Sequence, residues 1–555
     1  GAVEIARLRL WLSLVVDEEE VKQIRPLPNL DYRIVAGNSL LGFRFKSEGL
    51  SEIEKLKQKL FDETDHDRKA AMKTEVDRLL SERFAASKQV LGYEVNFDFE
   101  QVFSEVFHRK GGFDIVIANP PYVRIQEIDA AFAATLKRHF KAATGKFDIY
   151  VCFLEKGLSL TSPNGCMCYI NPNRFLTSDY GKGIRALLSE RKSLVQIVDF
   201  GASQNFETAT TYTCVVLVGR REQAKAQYAR VGSPQEFRAL ASTRVGFHEV
   251  PQPSTSGSWI FAGVRGGCLI ERLSQLPNLE SVCDEIFQGL ISGGDKVFFL
   301  KLQSREKGTV VAESQINEKQ YELEEDLCYD LLKGSEIKRY QPLSARYVAI
   351  FPYRVDEGNR TTLIAENELQ RSFPKVFSYL NEFKPKLRDR GSPNMEYENW
   401  YAMWCPRSLA KFRATKVVTQ VLASSASYTL DETERTLFVG GGNAGGYGII
   451  PSRGISAKLL LGLLNSRLLD FVLRNTSTVF QGGFYSYGRR FIGKLPVCNV
   501  PKTEQEGIEH WVEKILARKR YDPDVDTSAW EQEIDRVVYE LYGLSDEEIA
   551  VVEGG

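Results

Sequence analysis

The run Phe113-Asp114-Ile115-Val116-Ile117-Ala118, closed by Asn119-Pro120-Pro121-Tyr122, constrains this chain more than any other segment. A short apolar stretch rich in β-branched residues and bounded by turn formers reads as a strand. The two prolines fix φ near −65° and carry no N–H, so the chain leaves the strand in a rigid turn. The Asn119 amide oxygen and the Pro120 carbonyl are thereby held as fixed acceptors. Such a pair suits a planar amino group on an aromatic ring, whose two N–H hydrogens it could accept while drawing the nitrogen toward tetrahedral geometry. Tyr122 offers a ring on which an extruded base could stack. A turn that merely punctuates the strand accounts for the same four letters; the blocks that follow weigh against it.

Lys146-Phe147-Asp148-Ile149-Tyr150 opens an apolar helix through Glu155. Gly165 to Ile170 reads as a strand, followed by the loop Asn171-Pro172-Asn173-Arg174-Phe175-Leu176. Ile197-Val198-Asp199-Phe200 and the run from Thr211 to Val218 read as the last strands of the same sheet. In this order, and with Asn-Pro-Pro-Tyr at their head, the blocks resemble the gamma class of N6-adenine DNA methyltransferases, in particular those of type IIG restriction–modification enzymes. The resemblance extends over most of the chain. It implies an α/β fold, a Rossmann-like methyltransferase sheet followed by a mixed α+β target-recognition domain, with S-adenosylmethionine as methyl donor and double-stranded DNA as partner. It also implies that Asn119, Pro120, Pro121 and Tyr122 are catalytic. Asn38, Asn119, Phe147 and Asp148 would line the cofactor pocket. Tyr122 and Tyr212 would sandwich the flipped adenine, Phe206 being the other candidate for the second face.

The resembling family begins with a strand and a Gly-rich loop for the cofactor, and neither stands upstream here. The chain opens at Gly1 and runs into a segment whose apolar positions 5, 8, 12 and 15 follow helical spacing. The expectation is therefore an N-terminally truncated sheet, weakened around residues 1–40, without the cofactor Gly-rich motif or any nuclease domain. Mg2+ would be required only by such a nuclease domain. The stretch from Gly440 to Gly448 is no substitute, because no helix pattern follows it. It reads as a tight turn, or as a close approach of backbone to a ligand or DNA.

Composition excludes some classes. The net charge of −1 gives no bulk attraction to nucleic acid, although local basic stripes, not net charge, set phosphate binding. No apolar stretch reaches the roughly 20 residues of a membrane span. Nine scattered cysteines, with Cys166 and Cys168 read as core residues of one strand, fit a reduced, cytoplasmic protein. Five separated histidines show no metal-ligand spacing, and no metal site is expected. A monomer is the expected oligomeric state.

Along the chain, residues 1–225 alternate strand and helix patterns, interrupted by a charge-dense pair of amphipathic helices inserted at about 46–92. Residues 226–262, with Pro251, Pro253, Ser254, Ser256 and Gly257, read as a linker. Residues 263–500 read as the target-recognition domain and 501–555 as terminal helices. Within the second region, Lys384, Lys386, Arg388 and Arg390 could meet phosphates or simply complement a helix end. Arg489 and Arg490, following aromatics, suit a DNA-touching surface or a packed hairpin with solvated arginines. Asp330 with Glu336 and Lys338 superficially resembles a nuclease trio, but the spacing is short. Two alternative functions remain open: a sequence-specific DNA-binding fragment without catalysis, and a protein-glutamine methyltransferase, whose side-chain amide poses the same lone-pair problem.

Overall fold

The computed structural model describes residues 1–16, 31–43, 50–63, 65–85, 87–204, 211–243, 246–254, 256–259, 261, 263–355, 360–390, 396–480 and 482–554. They form two compact units, residues 1–259 and residues 260–555. Among the described residues, no helix is long and apolar enough to cross a membrane.

The first unit is built on a six-stranded sheet. Its strands are β1 (Phe113–Ala118), β2 (Thr161–Pro172), β3 (Leu194–Gln204), β4 (Tyr212–Gly219), β5 (Lys225–Arg230) and β6 (His248–Pro251), in the order β1-β2-β4-β3-β5-β6. β1 runs parallel to β2, while β4 is antiparallel to both β2 and β3. The helix Tyr150–Leu160 makes the crossover between β1 and β2 and buries Tyr150, Val151, Leu154 and Leu158, as a parallel connection requires. This topology brings the carboxyl ends of β1, β2 and β3 and the start of β4 to one end of the sheet.

Residues 226–251 depart from the expected linker. They form β5, the helix Pro234–Thr243 and β6, and β5 pairs with β3 in parallel register. The boundary between units falls after Trp259 instead. In β5 only Ala226, Tyr228 and Ala229 are buried between exposed Lys225, Gln227 and Arg230. A short strand covered on one face leaves too weak an alternation to read against its polar neighbours.

The charge-dense segment after residue 46 folds as the helices Ser51–Asp62 and His66–Ala85, which share a small core of Leu50, Ile53, Val76 and Leu80. Residues 1–40 supply one helix, Ala2–Val15, and no strand among those described. Ile5, Leu8, Leu10 and Leu12 of that helix are exposed.

β1 is an edge strand, and its Ile115 and Ile117 are 68% and 75% exposed. In register beside them stand Cys166 and Cys168, half-buried on β2. The two cysteines are thus not core residues. The alternation of β2 places Met167, Tyr169 and Asn171 on the covered face and leaves the cysteines on the face it shares with the exposed isoleucines. Contiguous exposed apolar surface on a sheet edge promotes association. Ile115→Lys with Ile117→Lys is expected to reduce concentration-dependent self-association, read by light scattering, with little change in the melting temperature.

The second unit holds a six-stranded sheet whose central strands are Phe299–Glu306, Tyr347–Ile350 and Cys328–Leu332, and a four-stranded sheet ordered Tyr428–Asp431, Lys416–Gln420, Gly446–Pro451, Cys283–Gln288. The terminal helices Lys502–Tyr521 and Ser528–Leu541 close one core of this unit against Ala457–Asn465. Gly462 makes that approach possible, since a Cβ there would lie 2.5 Å from Ile508 Cγ2. Residues 501–555 therefore belong to the same compact body as the sheets they cover.

Candidate active site at the carboxyl end of the first sheet

Asn119 follows directly on β1 and is exposed, whereas Pro120 beneath it is buried. The Tyr122 hydroxyl lies 2.8 Å from Asn119 Oδ1 and 3.2 Å from the Ile170 carbonyl. A single hydroxyl hydrogen serves one acceptor at a time, and the shorter contact favours Asn119. The amide oxygen is thereby oriented while its second lone pair stays open. The Pro120 carbonyl takes no hydrogen bond from the described residues. Two acceptors thus stand ready on a turn that the prolines hold.

Burial raises the Tyr122 phenol to about 12, with a smaller contribution from Cys214. It remains a neutral donor throughout the working pH range. Its ring meets Tyr150 edge-on, centroids 6.4 Å apart. The Tyr150 hydroxyl and both amide atoms of Asn171 are buried without a hydrogen-bond partner, and Asn171 directly follows the residue whose carbonyl faces Tyr122. Unpaired buried polar groups cost roughly 1–3 kcal/mol each, so this hydrogen-bonding capacity next to the motif is open to a ligand or an ordered water.

Tyr212 opens β4, half-buried, at the same end of the sheet. Phe206 lies outside the described residues. The loop after β2 is pinned there: Asn173 Nδ2 donates to Asp199 Oδ1 and to the Gly201 carbonyl, both at 2.9 Å. Tyr228 braces the other Asp199 oxygen at 3.2 Å. Sequence reading missed this bracket, although Asp199 on an apolar strand was its visible trace, since a half-buried carboxylate needs donors.

The expected cofactor residues divide. Asn38 is exposed, and its Oδ1 accepts from the amides of Leu40 and Leu41 at 3.0 and 3.2 Å. This Asx turn leaves Nδ2 available to a ligand. Asp148 is half-buried and bridged through its backbone to Arg124. Burial raises its carboxyl, while Arg124 and Arg174 pull it back down. Phe147 is 1% exposed, inside the core, so its side chain offers no open surface to a cofactor. Its carbonyl accepts from the Ile125 amide at 3.1 Å, and Ile149 donates to the Val123 carbonyl at 2.9 Å.

In the second unit the basic residues also divide. Lys386 and Arg388 are exposed. Lys384 pairs with Glu366 at 3.5 Å and lies over the Trp400 ring at 4.4 Å. Arg390 turns inward, donating to the Trp400 and Ala402 carbonyls and stacking 4.0 Å from the Tyr397 ring centroid. It braces a loop and does not face solvent phosphates, contrary to expectation. Arg489 is held by Glu280, with Nε at 3.0 Å, whereas Arg490 is exposed over Phe491. Asp330 pairs with Arg305, and Glu336 accepts from the Lys333 amide at 2.7 Å, so both carboxylates of the nuclease-like trio are engaged elsewhere.

Residues 1–206 match the model of a protein family described as the Eco57I restriction-modification methylase. The chain is 24% identical over 479 residues to the type II restriction enzyme and methyltransferase RM.Eco57I of Escherichia coli, covering 80% of this chain and 47% of that protein. It is 24% identical over 466 residues to the type II methyltransferase M.XhoI of Xanthomonas vasicola, covering 79% of this chain and 76% of the other. Among solved structures, the type IIL restriction-modification enzyme MmeI in complex with DNA is similar in fold, with a TM-score of 0.54 at 13% identity over 82% of this chain and 57% of that one. The chain thus spans about half the length of the Escherichia coli relative it matches.

Proposed function

We propose, from the match of residues 1–206 to the model of the Eco57I restriction-modification methylase family, that the protein is a site-specific DNA methyltransferase acting on the N6 amino group of adenine. The observation that carries this reading is the pair of open acceptors, Asn119 Oδ1 and the Pro120 carbonyl, at the carboxyl end of β1. Ligands of open α/β sheets bind at that end.

The exocyclic amine of adenine is a weak nucleophile because its lone pair is delocalised into the ring. Asn119 and Pro120 accept its two hydrogens, and these bonds strengthen as positive charge develops on the nitrogen, so they favour the transition state over the ground state. Tyr122 holds the Asn119 amide and offers its ring to the extruded base, with Tyr212 as the second face. S-adenosylmethionine, when bound, supplies an electrophilic methyl group. The free Nδ2 of Asn38 and the exposed Asn119 amide are the groups here that suit its adenine ring and its reacting end. The second unit supplies duplex binding, with Lys386, Arg388 and Arg490 as phosphate contacts.

The test is methyl transfer from radiolabelled S-adenosylmethionine to duplex DNA by the protein expressed from its complete gene, with nucleosides resolved after digestion. Label in N6-methyl-2′-deoxyadenosine supports the reading, and label in protein glutamine would replace it with the protein-methylating alternative. Calorimetry with S-adenosylmethionine addresses the binding-only alternative, which predicts heat with DNA and none with cofactor.

Tyr122→Phe keeps the stacking ring and removes the hydroxyl. It is expected to lower kcat about three- to tenfold, the worth of one neutral hydrogen bond, with KM for DNA little changed. Because the phenol stays protonated to about 12, its loss leaves the pH profile of kcat flat between pH 6.5 and 9.5 in both proteins. A profile that changed shape in the variant would show the hydroxyl acting as an acid or base.

A further inference from the structure

Three loops of the second unit are laced together by main-chain hydrogen bonds. Leu290 donates to Phe438 at 3.0 Å and accepts from Gly440 at 2.6 Å; Ile291 and Cys405 exchange bonds of 2.9 and 2.8 Å; Trp404 donates to Ser292 at 3.1 Å. Glycine makes this lacing possible. A Cβ on Gly440 would lie 1.9 Å from the Gly289 carbonyl oxygen, and one on Gly289 would lie 2.2 Å from that of Phe438. The segments 289–294, 404–407 and 439–445 therefore form one stiff platform although they are distant in sequence.

Three side chains on this platform keep polar groups without a partner among the described residues. Trp404 is 44% exposed, unusual for the largest apolar side chain, and its indole N–H has no partner among the described residues. Asn443 is exposed at the tip of a loop where Gly441 and Gly442 take φ of +99° and +57°. Arg407, after Pro406, adopts φ +65°. That left-handed conformation costs a non-glycine residue, and such strain gathers at functional sites. Its Nε lies 3.4 Å from the Gly289 carbonyl, and both terminal nitrogens are without a partner among the described residues. Asp295, directly after the first of these segments, accepts from the Ser292 hydroxyl.

We infer that this platform reads bases, with Arg407 presenting its terminal guanidinium fork to a guanine edge in the major groove and Asn443 and Trp404 flanking it. The inference rests on the reading above that the second unit binds duplex DNA, and it adds where the sequence is read. A phosphate contact would be served by any flexible cation on the surface, as Lys386 and Arg388 are. The Arg407 guanidinium instead leans on the platform, with Nε 3.4 Å from the Gly289 carbonyl, and its two terminal nitrogens match the paired acceptors O6 and N7 of guanine. The neighbouring glycines let backbone approach the groove closely.

The test is selection from a pool of randomised duplexes by the whole protein, comparing wild type with Arg407→Lys and Arg407→Ala. The expected result is that the wild type enriches one motif. Both variants then lose about ten- to a hundredfold of discrimination at a single base pair of it, with the other positions and the salt dependence of affinity retained. Arg407→Lys keeps charge and size, so an unchanged melting temperature separates lost reading from lost folding. A variant motif identical to the wild type's at every position, with affinity lowered uniformly and the logarithmic salt slope shallower by about 0.9, makes Arg407 a phosphate contact and overturns the inference. Enrichment of no motif by the wild type fails at an earlier step, the DNA-reading function of the second unit itself, and takes the inference down with it.

Discussion

Asn119→Ala is expected to reduce methyl transfer about a hundred- to a thousandfold, while affinity for duplex DNA stays within about twofold of wild type. The magnitude is that found when one preorganised hydrogen-bonding group is withdrawn from a charge-developing centre. The asymmetry between rate and affinity follows from the geometry. Asn119 Oδ1 is oriented by the Tyr122 hydroxyl at 2.8 Å, and its remaining lone pair acts on a nitrogen that becomes positive only as the methyl group arrives. An interaction stronger in the transition state than in the ground state appears in kcat, not in binding. Asn119→Asp keeps an oxygen acceptor on the same stem and is expected to recover part of the lost rate. Single-turnover transfer with duplex in excess checks both variants. Equal losses in Ala and Asp, or a loss confined to KM, would remove Asn119 from the chemistry.

The part of the candidate site lying within one contiguous stretch could be nominated from the sequence. Asn119 to Tyr122 are neighbours, and proline fixes their backbone whatever surrounds them. The element order of the first sheet up to β4 was legible for the same reason, because each strand is a compact apolar run bounded by turn residues. What escaped notice depends on residues far apart in the chain. The bracket of Asn173 to Asp199 and Gly201 joins two different strand ends. Phe147 and Arg390 each look like ligand-facing residues in sequence, and only the surrounding packing turns them inward. Cys166 and Cys168 show the converse. Alternation places them correctly on a common face of β2, but periodicity says nothing of whether that face is covered. The β5–β6 excursion was missed because short, half-covered strands carry little pattern. The lacing of the loops at 289–294, 404–407 and 439–445 leaves no periodic trace at all, since glycine marks only that something comes close, not what.

Lys416→Ala is expected to destabilise the second unit by about 3–5 kcal/mol, as removal of one partner from a buried ion pair does. Lys416 and Asp431 are directly opposed across the strands Lys416–Gln420 and Tyr428–Asp431, with Nζ 2.8 Å from Oδ2 and neither side chain exposed. The ammonium also donates to the Phe412 and Ala414 carbonyls. On the other side Asp431 Oδ1 accepts from the Thr433 amide at 2.9 Å and from its hydroxyl at 2.7 Å. Burial pushes the Lys416 ammonium down from its ordinary value, and Asp431 opposes that shift. A carboxylate that has lost its cation here has no water to turn to. Domains are stable by only about 5–15 kcal/mol in all, so a loss of this size is visible as a large fall in the urea midpoint. Lys416→Met combined with Asp431→Leu removes both charges and leaves apolar groups of similar reach, and it is expected to recover most of the loss. Recovery in the double variant identifies the single-variant cost as that of an orphaned charge. A double variant as unstable as the single one would instead assign the cost to the hydrogen bonds that Lys416 and Asp431 make with the loops flanking their strands.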